Sequence, residues 1–364
     1  MREPPPQSSL GLHRNTRATI MIRLSFKTLF LVLAALACLP FGSTASAEAI
    51  QWVTVGDPGN TADAAHGGYG GVSTSFQIMK YEFTNQQYAD FLNSVAATDT
   101  YSLYNSNMGS DARGGITQSG ESGSFSYAAK SNMGNKPVNY VSWFDAARVA
   151  NWYQNGATSS SDTETGAYDL NGAISGDAVA TNADAKYFVP TENQWYKAAY
   201  YKGGGTNAGY WDYATQSDTL PTAVTAGSTG DGSAGSVGNF ANYNYAASWN
   251  GLTGNVTTVG TNGGPSAYGA FDMSGNVLEW DDLNGSPGPL HGLRGGYYGY
   301  YTQPPLNLGA ADHYEGAPSL EYPGVGFRLA SASVPEIDPN SLGSVLALVL
   351  GALGLLERCR LKAA

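Results

Sequence analysis

The cysteines and histidines of this chain are the residues whose side chains hold transition metals or act as nucleophiles. Cys38 and Cys359 lie near opposite ends of the 364 residues, and their thiolates would bind soft metals or exchange with other thiols. Three histidines lie between them, His66, His291 and His313, without an HxxxH spacing. Scattered histidines of this kind are usually surface or hydrogen-bonded core residues, and a metal site made by His291 and His313 is the alternative.

The N-terminal segment has the pattern of a secretory signal peptide. Within residues 22–47, two basic residues precede an apolar stretch over 29–41, and the small residues Ala45–Ala47 follow. This order predicts export by the Sec route and cleavage before Glu48. The start of translation is Met1 or Met21, and a lipid anchor on the cysteine of this segment is a further alternative.

The C-terminal segment, residues 334–364, resembles a PEP-CTERM sorting signal. A Val-Pro-Glu motif is followed by 15 mostly apolar residues, 342–356, and then by three basic residues. At about 1.5 Å per residue, this run is roughly 22 Å long as a helix and shorter than a bilayer core, so its membrane contact is transient. The resemblance implies cleavage by an exosortase-type enzyme at the cell surface or extracellular matrix, and a plain tail anchor is the alternative.

Between these segments, residues 48–333 form the predicted working domain. They contain ten basic and 25 acidic residues, a net charge of −15, and no cysteine. Nucleic acid is excluded as a partner because no basic surface is available to displace counterions from phosphates. Stability must come from burial, hydrogen bonds and bound metal rather than from disulfides.

Glycine-rich composition and a few amphipathic stretches predict one domain with little regular structure. The chain has 47 glycines and only 13% charged residues, which argues against a helical bundle or coiled coil. Helices are predicted after the caps Thr84, Ser142 and Thr191, the last two ending near Gly156 and Gly203. Short strands are predicted over residues 51–55, 76–83, 277–280 and 326–330, and surface insertions over 98–135, 156–182 and 203–238.

Six strings along the chain resemble, in order, the motifs of the formylglycine-generating enzyme or sulfatase-modifying-factor family. They are EFTNQQYADFL (82–92), KPVNYVSWFDAARVANW (136–152), VPTENQWYKAA (189–199), YGAFDMSGNVLEW (268–280), RGG (294–296) and GFRLA (326–330). The resemblance implies an irregular α+β fold, a variant of the C-type lectin-like fold, in a single domain with long loops. The tryptophans inside these motifs are expected in its core.

The oxidase members of this family hold copper between two cysteine thiolates and oxidise a sulfatase cysteine to formylglycine. The resemblance places those cysteines a few residues after RGG, where this chain has Tyr300 and Pro305. Neither side chain ligates copper as a thiolate does. We therefore expect no copper and no formylglycine formation by that chemistry, and an enzyme with an altered active site is the alternative.

The family resemblance also implies a structural calcium ion in the string DMSGNVLEW. Its ligands would be the side chains of Asp272 and Glu279 and the backbone carbonyls of Gly275 and Val277. Two carboxylates and two carbonyls in one tight turn suit calcium, and the cation would offset the cost of burying the acids. The alternative is that Asp272 caps a turn and Glu279 is solvated.

Tyrosines follow the RGG motif in the string YYGYY (297–301), where the family has its substrate groove. Tyrosine-rich loops stack on sugar faces or pack against proteins at low entropic cost. The alternative is that these rings fill the volume left by the lost metal site. The expected function is a binding module for polysaccharide or extracellular protein. Its predicted ligand-binding residues are Tyr297, Tyr298, Tyr300 and Tyr301, with Tyr314 and Tyr322 as further exposed candidates.

Overall fold

Each of the three predicted helices is present in the computed structural model, which describes residues 50–299 and 308–332. The helices are α1 (Asn85–Val95), α2 (Asn107–Ser110), α3 (Trp143–Gln154) and α4 (Glu192–Tyr200). The predicted caps Thr84, Ser142 and Thr191 are confirmed, since each side chain accepts a bond from the third helical N–H. In all three, the side chain of that third residue bonds back to the cap N–H, which completes a capping box.

Short strands build two separate four-stranded sheets. The strands are β1 (Trp52–Val55), β2 (Phe76–Met79), β3 (Ile116–Ser119), β4 (Ser126–Ala129), β5 (Tyr187–Phe188), β6 (Thr222–Ala223), β7 (Phe240–Ala241), β8 (Leu278–Asp281), β9 (His291–Arg294), β10 (Tyr314–Gly316), β11 (Val325–Gly326) and β12 (Ala330–Ala332). One sheet has the order β1-β2-β12-β5 and is antiparallel. The other has the order β10-β9-β8-β11, with β11 parallel to β8. The pairs β3-β4 and β6-β7 complete the described strands.

The expectation of an irregular α+β fold in a single domain with long loops is confirmed, with one insertion better ordered than predicted. The segment 98–135 contains α2 and the β3-β4 hairpin. Ile116 and Tyr127 are buried on one face of that hairpin. Asn93 of α1 accepts a bond from Tyr127 N–H at 2.9 Å and donates to its carbonyl at 2.8 Å. The hairpin is thus held by α1, a long-range contact with no local sequence signal.

The predicted strand over residues 326–330 is divided, and Arg328 lies at the division. β11 ends at Gly326 and β12 begins at Ala330. The Arg328 guanidinium donates to both carboxylate oxygens of Glu279 on β8, at 2.6 Å each. It also donates to the carbonyl of Met79 on β2 at 3.1 Å. One fully buried arginine therefore connects the two sheets.

The tryptophans of the family-like motifs lie in the core, as predicted. Trp143, Trp152, Trp195 and Trp280 are each at most 1% exposed. Three of them belong to a cluster that packs α1 and α3 against the second sheet, and Trp195 belongs to a smaller cluster around α4. Burial of this aromatic surface is the main stabilising contribution available to residues 48–333, which contain no cysteine.

The predicted targeting segments, residues 1–47 and 334–364, lie outside the described residues. Across the two described ranges, the helices are all too short or too polar to cross a bilayer. The predicted ligand residues Tyr300 and Tyr301 and the cysteine-equivalent position Pro305 also fall outside those ranges.

Asp145, the third residue of α3, gives the fold a pH dependence that can be measured. Burial raises the pKa of its carboxyl to about 8, and Glu321 adds to the effect. Between about pH 4 and 8 the unfolded carboxyl ionises while the folded one keeps its proton, so stability falls as pH rises. Between pH 4.5 and pH 7.5, the free energy of unfolding of Asp145→Asn should rise by roughly 2–4 kcal/mol relative to that of the parent protein. Urea unfolding of both proteins at both pH values measures this. The same difference in free energy at the two pH values would contradict the prediction.

Candidate functional site

Five tyrosines surround a cavity of about 550 Å³. We call it the tyrosine cavity, and its aromatic walls are Tyr245, Tyr297, Tyr298, Tyr314 and Tyr322. Two of the predicted ligand residues, Tyr297 and Tyr298, therefore line one space with the two further candidates, Tyr314 and Tyr322. Tyr245 joins them because its N–H donates to the carbonyl of Tyr298 at 2.8 Å. No signal in the sequence pointed to that residue.

The floor of the tyrosine cavity is aliphatic and is built by the second sheet. Leu278 on β8 and Leu293 on β9 point to the same face, because Trp280 pairs with Leu293 in an antiparallel register. Val325 on the parallel edge strand β11 extends that face. All three are buried. A sheet fixes the floor, so the geometry of the floor is preformed.

The rim of the tyrosine cavity exposes aromatic surface to solvent. Tyr245 is 38% exposed, Tyr314 37% and Tyr322 58%. Large exposed aromatic side chains around a concave apolar surface are typical of a binding site rather than of a solvent-facing wall. Tyr298, by contrast, is 2% exposed, and burial raises its pKa. It therefore packs into the wall, while the rim tyrosines keep part of their surface exposed to solvent.

One charged side chain, Arg113, gives the tyrosine cavity its polar character. Arg113 lies with its guanidinium 5.6 Å from the ring centroid of Tyr298. It is oriented by hydrogen bonds to the carbonyls of Thr253 and Gly254 at 3.0 and 3.1 Å. Glu315 on β10 pairs with Gly292, so its side chain leaves the opposite face of the sheet from Leu293, and its carboxylate lies 3.4 Å from the imidazole of His313 there. The cavity thus presents one cation, Arg113, above an apolar floor.

The four predicted calcium residues lie in a turn and strand held by several buried contacts. Gly275 has φ of +90° and approaches Asn242 so closely that an added Cβ would lie 3.0 Å from the Asn242 carbonyl carbon. Only glycine fits there. The Asp272 carboxylate accepts bonds from Gly260 N–H and from the Asn262 side chain. Val277 N–H points elsewhere, to the carboxyl of Glu82 at 3.3 Å.

Glu279 retains limited capacity for a cation. Its two oxygens accept two bonds from Arg328 and one from the Trp195 indole N–H at 2.7 Å. A carboxylate offers about four lone-pair sites, so one remains, on the oxygen that only Arg328 contacts. Among the described residues, no group of three or more His, Cys, Asp or Glu is arranged to hold a metal. Calcium would therefore depend on carbonyls and water as well as on Asp272 and Glu279.

Glu82 is a buried acid of this region that sequence reasoning missed. It is fully buried, and it accepts a bond from the Asn276 side chain at 2.8 Å. Burial raises its pKa well above the ordinary value, and the neighbouring carboxylates of Asp272 and Glu279 add to the shift. Its place inside a mostly apolar stretch, FQIMKYEF, was the available signal. Three buried acids thus lie around one buried cation, Arg328.

The histidines do not converge on a common site in the described residues. His291 is buried and stacks on Trp143 with ring centroids 4.6 Å apart, and its Nδ1 lies 3.2 Å from the carbonyl of Asp281. His313 is held by Glu192 at 2.8 Å. His66 pairs with Asp63 at 2.9 Å. Each has its own hydrogen-bonding partner, which is the behaviour of structural histidines.

Comparisons with known proteins agree with the motifs. The model of the sulfatase-modifying factor enzyme 1-like domain matches residues 59–333. The match to the crystal structure of CarF spans 79% of this chain and 99% of the CarF chain, with 22% sequence identity and a TM-score of 0.46. Treponema denticola variable protein 1 is 18% identical over 79% and 98% of the two chains, with a TM-score of 0.44. PvdO from Pseudomonas aeruginosa is 18% identical over 78% and 92%, with a TM-score of 0.38.

No curated protein sequence shows significant similarity to the chain. The family model nevertheless covers well over half of the 364 residues, and it includes all six motif strings in full. The chain therefore belongs to the sulfatase-modifying factor enzyme 1-like family, and its domain is the variant of the C-type lectin-like fold that the motifs predicted.

Proposed function

We propose that this protein is an exported binding module that takes up polysaccharide or an extracellular protein in the tyrosine cavity. The observation that carries the proposal is the cavity itself, a space of about 550 Å³ with a preformed aliphatic floor and three exposed rim tyrosines. Aromatic rings stack on the apolar faces of sugars and anchor protein partners. Arg113 would orient a polar or negatively charged ligand beside the floor.

The missing thiolates support binding rather than oxidation. The family-equivalent positions carry Tyr300 and Pro305, and the cysteines of the chain are at 38 and 359, outside the domain. An oxidase of this type needs thiolates for soft copper and for exchange with the substrate thiol. Copper is therefore not part of the proposed function.

Export and sorting are part of the same proposal. The signal-peptide pattern before Glu48 supports transport by the Sec route, and the segment 334–364 supports recognition by an exosortase-type enzyme. The final location would be the cell surface or the extracellular matrix. A net charge of −15 over residues 48–333 favours partners other than nucleic acid.

A binding screen with variants tests the proposed function. The purified protein is applied to an array of polysaccharides and to extracellular proteins, and each ligand found is measured with Tyr322→Ala. We expect the variant to bind at least about tenfold more weakly, since exposed aromatic anchors carry much of such an interface energy. Leu220→Ala is the matched control, because Leu220 is 42% exposed and lies outside the cavity.

An oxidation assay separates the proposal from its rival. Formylglycine produced from a sulfatase peptide by the purified protein with copper would establish an enzyme and overturn the binding-module proposal. Equal binding by Tyr322→Ala and the parent protein would show that the tyrosine cavity is not the site, whatever the ligand.

We also propose a structural calcium ion bound by Asp272, Glu279 and the carbonyls of Gly275 and Val277. Its support is the excess of buried acid around Arg328, which a divalent cation would offset. At about 100 times Kd, calcium should add about 2.7 kcal/mol and raise the Tm by roughly 5 °C. Asp272→Asn should abolish this rise, whereas Glu121→Gln at an exposed site should keep it. Equal melting temperatures with calcium and with a chelator would contradict the proposal.

A further inference from the structure

Lys136 is a buried lysine with an incomplete set of partners. It is 2% exposed, and its ammonium donates to the carbonyl of Thr229 at 2.9 Å and to the hydroxyl of Thr258 at 3.1 Å. An ammonium has three donors, so in the described part of the chain one donor lacks a hydrogen-bond acceptor. The nitrogen also lies 4.6 Å from the ring centroid of Trp249. No carboxylate of the described residues forms an ion pair with it.

Such a cation is costly unless something compensates for its lost hydration. A buried charge is normally paired or hydrogen-bonded on every side. Burial lowers the pKa of Lys136 to about 8, and Asp231 partly counteracts that shift. The lysine therefore remains charged below neutral pH, although its surroundings favour the neutral form. An anion beside the N–H donor of Lys136 that lacks an acceptor would compensate for the lost hydration.

Lys136 lines a cavity of about 240 Å³ that is large enough for a small ligand. We call it the lysine cavity, and its other polar walls are Asn132, Asn135, Thr229, Asp231 and Thr258. It shares Asn135 and Thr258 with an adjoining cavity of about 210 Å³. None of the residues of the tyrosine cavity lines either space. This is a separate site on the domain.

The adjoining cavity is lined by amides, by the buried acid Glu82 and by one aromatic ring. Gln51 contributes an amide group, and Gln87 contributes its NH2 group because its oxygen accepts from Thr84 at the start of α1. Tyr81 contributes its ring, which packs against Phe271 with centroids 5.5 Å apart. Side-chain amides bind vicinal hydroxyl groups because they donate and accept from one plane. An aromatic ring covers the apolar face of a sugar ring. Together, the two cavities therefore offer a cation next to groups that bind the hydroxyls of a polyol.

We propose that the lysine cavity binds a sugar acid, with its carboxylate at Lys136 and its hydroxyl groups on the amides and threonines of the two cavities. The volumes suit one or two monosaccharide units. The site lies apart from the tyrosine cavity and stands independently of the function proposed for that cavity.

Asp231 restricts which anions the lysine cavity accepts. Its carboxylate is fixed by the hydroxyls of Thr258 at 2.6 Å and Thr229 at 2.7 Å. These bonds lower its pKa, so it stays charged. Asp231 repels a ligand with a single negative charge at Lys136 only weakly, whereas it repels a compact dianion more strongly. The site thus favours a carboxylate on an extended sugar over inorganic phosphate.

The test is calorimetric titration of the intact exported protein with glucuronate, glucose, acetate and inorganic phosphate at about pH 6.5. Glucuronate should bind at least about tenfold more tightly than each of the other three. Lys136→Met should reduce its affinity by about tenfold or more. Asp231→Asn should increase that affinity severalfold, because it removes the opposing charge and leaves the lysine in place. General damage to the fold would not tighten binding.

A pH series provides a further readout for the same site. Glucuronate affinity should fall as the pH rises from 7 to 9, because Lys136 loses its proton and charge over that range. Tyr322→Ala should leave glucuronate binding unchanged, which separates this site from the tyrosine cavity. Equal binding of glucose and glucuronate would overturn the proposal, and so would the absence of saturable glucuronate binding. Weaker binding by Asp231→Asn would overturn it even if Lys136→Met failed to fold.

Discussion

Replacing Arg328 with methionine should lower the free energy of unfolding by about 3–5 kcal/mol, the largest stability effect expected from one substitution here. Arg328 is fully buried and donates to both oxygens of Glu279. Without it, Glu279 would remain in the core as an uncompensated charge beside Asp272 and Glu82. The carbonyls of Met79 and Phe271 would also lose their donors.

The control for this prediction removes both charges. Glu279→Gln alone should also be destabilising, because it leaves the Arg328 guanidinium unpaired. The double variant should recover part of the loss, with a coupling free energy of about 1–3 kcal/mol in a double-mutant cycle. Chemical denaturation of all four proteins measures it. Additive losses would show that the ion pair is not the reason for the effect.

Local sequence signals predicted three of the four described helices, and α2 was missed. A capping box is visible within four residues of sequence, as in Ser142 with Asp145 and in Thr191 with Gln194. Helix α4 ends at Tyr200, three residues before the predicted Gly203, because Tyr201 is extended and its N–H caps the Lys197 carbonyl. Start signals are local, whereas the end of a short helix depends on what the following chain packs against.

Strands and site walls required contacts between distant parts of the chain. β9 contains His291, Gly292 and Arg294, which have little intrinsic strand preference, and it exists because β8 and β10 pair with both of its edges. Arg328 contacts Met79, which lies 249 residues earlier. Motif order suggested that such segments meet, but no spacing identified Glu82 as a third acid beside them.

The tyrosine cavity shows the same division between local and distant information. The string YYGYY predicted Tyr297 and Tyr298, and the cavity includes both. Arg113 and Tyr245 come from other loops and reach it through hydrogen bonds to the 253–254 and 298 backbones. Glycines around the rings were visible in the sequence, but their role appears only when the ring they accommodate is known.

Gly324→Ala should reduce binding in the tyrosine cavity by at least about tenfold by displacing Tyr297. An added Cβ at Gly324 would lie 2.9 Å from Cγ of Tyr297. Gly299 contacts the other part of the same ring, so the ring lies against two positions that lack a side chain. Gly324 does not have a positive φ, and alanine is therefore tolerated by the backbone. The ring must turn toward the cavity, where it occupies space intended for the ligand.

Two further variants make the cause of that loss identifiable. Gly56→Ala is the matched control, since an added Cβ there has nothing within 4 Å and binding should not change. Combining Gly324→Ala with Tyr297→Ala should restore access to the floor formed by Leu278 and Leu293, and with it part of the affinity. The ligand found on the array is titrated against all of these proteins. Undiminished affinity in Gly324→Ala would mean that a ligand does not need the space beside Tyr297, and the binding surface would then have to lie elsewhere on the domain.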